Sequence, residues 1–189
     1  MDAKSRRPLA EMLTAAAAFC TELAPYVERI EIGGSVRRCA PLCADIELLC
    51  IPKIETERDP ADLFRSITIN RLDGYCRSQL DAGRYRHRLS SVGSPAFGER
   101  YKRLLVDDVP LDLFSVLHPA SWGVLMLIRT GSAAFSQRAV TTRSAGGLLP
   151  DGYRVQNGAV WRGDTRIELP EERDYFALCG LRYVEPEQR

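Results

Sequence analysis

Leu9, Met12, Leu13, Ala16, Phe19, Cys20 and Leu23 recur at three- and four-residue steps, the period of one helix face, and predict an amphipathic core helix opening near Pro8. Val27 to Ile32 predicts a strand ended by Gly33-Gly34-Ser35, where missing side chains let the backbone turn sharply and approach a ligand. Val36 to Ala40 is a short helical segment stopped by Pro41. Asp45 to Ile51 is a second strand, and Pro60 to about Leu80 a helix with a break at Asp73-Gly74. Two apolar runs, Tyr101 to Val106 and Leu111 to Val116, flank Asp107-Asp108-Val109-Pro110 and predict a hairpin. Beyond His118-Pro119 the pattern gives helices over about 119–129 and 133–143 broken by Thr130-Gly131-Ser132. A hairpin follows around Asn157-Gly158, then a last helix from Pro170 closed by Gly180. The pattern divides into parts at about 1–117 and 118–189, with no repeat or long linker between them.

The chain has 189 residues, 45% hydrophobic and 27% charged, which excludes disordered and fibrous classes and supports a core without staples. Lys plus Arg number 26 against 25 for Asp plus Glu, so a polyanion contact has to be local. Residues 81–103 supply one, with Arg84, Arg86, Arg88, Arg100, Lys102 and Arg103 against Asp81 and Glu99. Cys20, Cys39, Cys43, Cys50, Cys76 and Cys179 form no CxxC pair and read as reduced thiols. Arg6 and Arg7 before Ala15 to Cys20 superficially suggest an export signal. Glu11 and Glu22 bracket a stretch far shorter than a membrane span, so the expectation is a soluble, cytoplasmic protein. Trp122 and Trp161 lie among apolar residues and read as core anchors.

Chemistry concentrates where carboxylates interrupt apolar strands. Asp45 and Glu47, two residues apart, project from one strand face while Ile46, Leu48 and Cys50 project from the other. Two carboxylates so placed make a hard-oxygen site for a divalent cation. Asp112, between Leu111 and Leu113, is a third, and three converging carboxylates repel one another unless an ion neutralises them or their pKa values rise. Upstream, Gly34-Ser35 offers a hydroxyl and open backbone N–H groups, and Arg37 and Arg38 follow, a cradle for a polyphosphate.

At these residues, Gly34-Ser35-Val36-Arg37-Arg38 through Asp45-Ile46-Glu47, the sequence resembles the nucleotidyltransferase superfamily, and closely the family X DNA polymerases of the DNA polymerase beta type. Leu111-Asp112-Leu113 resembles the strand of that family's third catalytic carboxylate. Thr130-Gly131-Ser132 with Phe135 resembles the start of its thumb, and the stretch from Tyr153 to Tyr183-Val184-Glu185-Pro186 is similar to its closing hairpin and helix.

The resemblance implies an α+β fold: a nucleotidyltransferase palm over 1–117, with a mixed β-sheet and flanking helices, and a small helical and β-hairpin thumb over 118–189. It implies a minimal palm-plus-thumb member without the family's lyase and fingers regions, and hence no abasic-site processing. Asp45, Glu47 and Asp112 would be the catalytic carboxylates and the ligands of two Mg2+ ions, with Mn2+ as substitute. Asp112 would also accept the proton of the attacking 3′-hydroxyl. Gly34, Ser35 and Arg38 would hold the β- and γ-phosphates of a (d)NTP, with Arg129, Gly131 and Ser132 completing the nucleotide site. The expected partner is gapped or primer-template DNA, bound by a monomer in gap filling or repair, with no membrane contact.

Two positions depart from the family's pattern. Glu47 stands where these polymerases usually have Asp, and Ile128-Arg129 where the best-studied members carry two aromatic residues against the incoming sugar. Two other readings stay open: transfer to an RNA end, a protein hydroxyl or a small molecule, and a catalytically silent nucleic-acid or toxin-binding module.

Overall fold

The computed structural model describes residues 6–59, 61–89 and 93–189. In chain order it contains β1 (Arg7–Pro8), α1 (Leu9–Leu23), β2 (Val27–Ile32), α2 (Gly34–Arg37), β3 (Leu42–Cys43), β4 (Ile46–Pro52), β5 (Ile54–Asp59), β6 (Asp62–Asn70) and α3 (Arg71–Asp81). There follow β7 (Tyr85–His87), β8 (Tyr101–Val106), β9 (Val109–Ser115), α4 (Trp122–Thr130), α5 (Ala133–Val140), β10 (Tyr153–Gln156), β11 (Ala159–Arg162), β12 (Thr165–Ile167) and α6 (Glu172–Leu178).

The central sheet has five strands in the order β2-β4-β9-β8-β7. It is mixed: β4 and β9 run parallel, and the other neighbours are antiparallel. Alternation along β4 sends Ile46, Leu48 and Cys50 to one face, where they join Leu111 and Leu113 and pack with Met12, Ala16 and Phe19 of α1 and Leu72 and Cys76 of α3. Leu49 and Phe114 take the opposite face, against Trp122 and Met126 of α4. A further core joins α4, α5 and α6 to the small β10-β11-β12 sheet through Leu127, Val160, Tyr175 and Phe176. The fold is thus a mixed α+β arrangement with helices flanking a mixed sheet.

Turn chemistry sets the hairpins. Asp107 and Asp108 both adopt positive φ, 49° and 63°, in the tight turn that registers β8 on β9. Asn157 and Gly158 do the same between β10 and β11.

The stretch expected as one helix from Pro60 to Leu80 divides differently. Pro60 lies outside the described residues, and Ile54–Asp59 and Asp62–Asn70 form an antiparallel hairpin, so the helix begins only at Arg71. Ile67, Thr68 and Ile69 are β-branched and favour the strand, and Asn70 caps α3 by accepting a hydrogen bond from the Asp73 backbone N–H at 3.0 Å. Gly74 lies inside that helix rather than at a break. Trp122 is a buried anchor, whereas Trp161 is half-buried on its hairpin and donates its indole N–H to the Gln156 carbonyl. Among the described residues no helix is long and apolar enough to cross a membrane.

Candidate active site

The parallel register of β4 and β9 places Glu47 opposite Asp112 on the sheet face turned toward α4. Asp45 lies immediately before β4, two residues from Glu47. The strand pair therefore assembles the three acidic residues singled out in the sequence on adjoining backbones.

Each carboxylate has a different environment. Burial, then the like charge of Asp45, pushes Glu47 up to about 7, with Asp112 adding to the rise and Arg129 and Arg38 opposing it. Its Oε2 packs on the backbone of Gly34, where an added Cβ would come within 2.0 Å of it. Asp112 is also raised, by burial first, against the opposing pull of Arg88 and of a Tyr101 hydroxyl that donates to its Oδ2 at 3.0 Å. Tyr101 itself is pushed up to about 12, by burial first and then by Asp112, so it stays a donor.

Two arginines complete the cluster. Arg103, opposite Asp112 on β8, brings Nε within 3.6 Å of Asp112 Oδ1. Arg88, just past β7, places its single nitrogen Nη2 3.1 Å from Asp112 Oδ1, 3.2 Å from Asp112 Oδ2 and 3.4 Å from Asp45 Oδ2. Buried Asp112 Oδ1, Arg88 Nε and Arg103 Nε still lack a hydrogen-bond partner, so this part of the cluster has unused donor and acceptor capacity.

The nucleotide-site candidates surround these carboxylates. Gly34 opens α2 with φ +63°, a conformation suited to glycine, and Ser35 follows it in the same short helix. Arg38 Nη1 donates to the carbonyls of Thr130 and Gly131 at 2.6 and 3.1 Å, which ties the end of α2 to the end of α4. Arg37 makes a parallel tie, donating to Thr130 Oγ1 at 2.8 Å and pairing with Glu172 at 2.7 Å. Arg129 stacks on Phe114 with its guanidinium 4.0 Å from the ring centroid. Ser132 caps α5 by accepting from the Phe135 N–H at 3.2 Å, and Gly131 is packed so closely on that helix that a Cβ would meet Ser136 Oγ at 2.7 Å.

Tyr101 carried no chemical signal in the sequence, Arg88 was marked only as one of the basic residues of 81–103, and Arg37, expected in the polyphosphate cradle, is tied instead to Thr130 and Glu172. The turn expected over Asp107-Asp108-Val109-Pro110 is shorter, two residues at Asp107-Asp108 with β9 starting at Val109, and only this register sets Arg103 opposite Asp112. The place of Arg88 depends on the path of β7.

The donor set suits a hard divalent cation: carboxylate oxygens from two adjacent strands, one of them buried without a hydrogen bond. Among the described residues, however, no three acidic, imidazole or thiol side chains are gathered closely enough to hold an ion in this arrangement. Arg88 Nη2 stands among the oxygens that such an ion would share.

No family model matches the chain, and no curated protein matches it in sequence. Among solved structures it is similar to Leishmania infantum polymerase beta in its ternary P/T complex, with a TM-score of 0.67 and 18% identity over 98% of this chain and 77% of that one. The ternary gap complex of the same protein gives a TM-score of 0.67 and 17% identity over 98% of this chain and 71% of that one. The likeness is one of fold.

Proposed function

We propose that the protein is a divalent-metal-dependent nucleotidyltransferase that adds nucleoside monophosphates from (d)NTPs to the 3′-hydroxyl of gapped or primer-template DNA. In this reading residues 1–117 form the palm and 118–189 the thumb. The observation that carries it is the register pairing of Glu47 with Asp112, with Asp45 beside them, in a polymerase beta-like fold. The fold neighbours, a polymerase beta in a ternary P/T complex and in a ternary gap complex, favour DNA as acceptor over RNA, protein or small molecules.

Asp45, Glu47 and Asp112 would hold the metal, which when bound neutralises their charge and polarises the reacting phosphate and hydroxyl oxygens. Asp112 would receive the proton of the attacking 3′-hydroxyl at Oδ1, the oxygen that accepts no hydrogen bond, while Tyr101 holds Oδ2. The bond from O3′ to the α-phosphorus forms, and the bond to pyrophosphate breaks. Gly34, Ser35 and Arg38 would bind the β- and γ-phosphates, with Arg38 oriented by its bonds to Thr130 and Gly131. Arg129, Gly131 and Ser132 would border the nucleotide from the α4–α5 junction.

The test is extension of a primer on a one-nucleotide-gapped duplex and of a bare single strand, with each dNTP and NTP, in Mg2+ and Mn2+, beside an Asp45→Ala control. Templated addition to the gap that disappears in the control is the expected result. A folded, nucleotide-binding protein that extends neither substrate would exclude DNA as acceptor.

A further inference from the structure

Resting on the nucleotidyltransferase reading, we propose that Arg88 is an exchangeable counter-ion. Its guanidinium holds Asp45 and Asp112 in the metal-free protein, a divalent cation displaces it, and the released guanidinium binds a nucleic-acid phosphate.

The geometry carries the first half. One nitrogen, Nη2, lies 3.1 and 3.2 Å from the two oxygens of Asp112 and 3.4 Å from Asp45 Oδ2. It thus sits among oxygens of two carboxylates, as a cation would. The side chains involved are 17%, 8% and 19% exposed for Arg88, Asp112 and Asp45, so solvent screens the cluster only in part. A planar, weakly hydrated guanidinium can span two acids in this way. A divalent ion binds carboxylate oxygen at about 2.0–2.6 Å and needs the same space, so the two cations exclude each other.

Position carries the second half. Arg88 follows β7, the edge strand, and its backbone N–H is fixed to the Arg103 carbonyl at 3.1 Å, so the side chain swings from an anchored base. Its Nε has no acceptor in the present arrangement. Arg103 on the paired strand contacts Asp112 as well and adds a second cation beside Arg88 once the acids have passed to the metal, whereas Arg86 is already paired with Asp108. A phosphodiester beside the carboxylates is the anion that such an edge attracts. Because one side chain serves both ligands, metal must raise nucleic-acid affinity and nucleic acid must raise metal affinity by the same factor, about tenfold for a coupling of ordinary size.

The experiment titrates the full chain with Mn2+ alone, by calorimetry and electron paramagnetic resonance, for wild type, Arg88→Gln, Arg88→Ala and Asp112→Asn. Binding of gapped duplex is then measured by fluorescence anisotropy with and without Mn2+, in the absence of nucleotide. Near-ultraviolet circular dichroism selects the folded variants, and Arg88→Gln, which keeps the chain length, stands in if Arg88→Ala unfolds. The expected result is about tenfold tighter Mn2+ binding in the Arg88 variants, lost in Asp112→Asn, with weaker duplex binding that no longer responds to Mn2+. Equal, Asp112-dependent Mn2+ affinity in wild type and the Arg88 variants would overturn the counter-ion role and leave the nucleotidyltransferase reading intact. Mn2+ binding indifferent to Asp112 in every variant would overturn both.

Discussion

Glu47 and Asp112 are direct partners across the parallel β4–β9 pair, one with its acidity shifted to about 7 and the other held by Tyr101 and Arg88. Parallel register leaves no freedom in their spacing, because a slip of either strand by one residue would turn its own carboxylate into the apolar core of Leu48 and Leu113. Catalysis by such a pair depends on the carboxylate rather than on side-chain volume. Asp112→Asn is therefore expected to lower nucleotide transfer by about 1,000-fold or more while leaving nucleotide binding within about threefold, since the proposed phosphate contacts lie on α2. Single-turnover extension alongside binding of a fluorescent nucleotide analogue checks it, and retention of more than a few per cent of the rate would remove Asp112 from the base role.

Gly34 is the backbone counterpart of that pair. A Cβ there would lie 2.0 Å from Glu47 Oε2, and φ is +63°. Gly34→Ala should cost about 1–2 kcal/mol from the left-handed backbone alone and should also displace the Glu47 carboxylate. Gly74 gives the opposite case: it lies in α3 with nothing within 4 Å of an added Cβ, so Gly74→Ala should stabilise by about 0.5–1 kcal/mol. Denaturant melts of the two variants separate the effects, and only Gly34→Ala should weaken Mn2+ binding.

The acidic pairs were legible in the sequence because a carboxylate between apolar strand residues has few structural reasons to exist. Asp45, Glu47 and Asp112 stood out on that ground, whereas the pairing of Glu47 with Asp112 depends on the β4–β9 register, which the sequence does not show, and Asp45 lies just before the strand. Asn157-Gly158 was legible for a backbone reason, the positive φ that both residues adopt. The β5–β6 hairpin was not. Its polar strands, such as Glu55-Thr56-Glu57, bury little on either face and lack the apolar alternation that signals a strand. Arg88 stayed hidden among the arginines of 81–103, of which residues 90–92 lie outside the described residues. Its partners lie across intervening strands, and only the folded sheet order brings them together.

Glu172, at the start of α6, ties α2 to the last residues of the chain. It pairs with Arg37 at 2.7 Å and Arg189 at 2.6 Å and accepts the Tyr183 hydroxyl at 3.0 Å. Burial pushes its carboxyl up, but the hydrogen bonds from Arg37 and Arg189 outweigh burial and leave it below the ordinary value. A depressed native pKa stabilises fully above the unfolded value of about 4.5, and that stabilisation is lost as pH falls through the native value. Glu172→Gln should therefore lower stability near neutral pH by about 3 kcal/mol, because the buried Arg189 guanidinium and the part-buried Arg37 guanidinium lose their charge partner. The gap between variant and wild type should narrow as pH falls below the unfolded value of about 4.5 and through the depressed native one. Melting both proteins from pH 3 to 7 tests the sign, and a gap that widens in acid would refute it.

Arg129 and Ile128 bear on sugar choice. Arg129 lies flat on Phe114, 4.0 Å from the ring centroid, and Ile128 packs toward the core of α4, α5 and α6. Both side chains are committed to neighbours, and neither presents a flat ring to the nucleotide. Excluding a 2′-hydroxyl requires a rigid group in its path, since a pocket without one rejects an added hydroxyl by at most about 100-fold. Single-turnover rates with dATP and ATP on the gapped duplex should therefore differ by less than that factor. Arg129→Phe, which would restore an aromatic face beside Gly131, should widen the preference for dATP, whereas stronger discrimination in the wild type than in this variant would show that another residue guards the sugar.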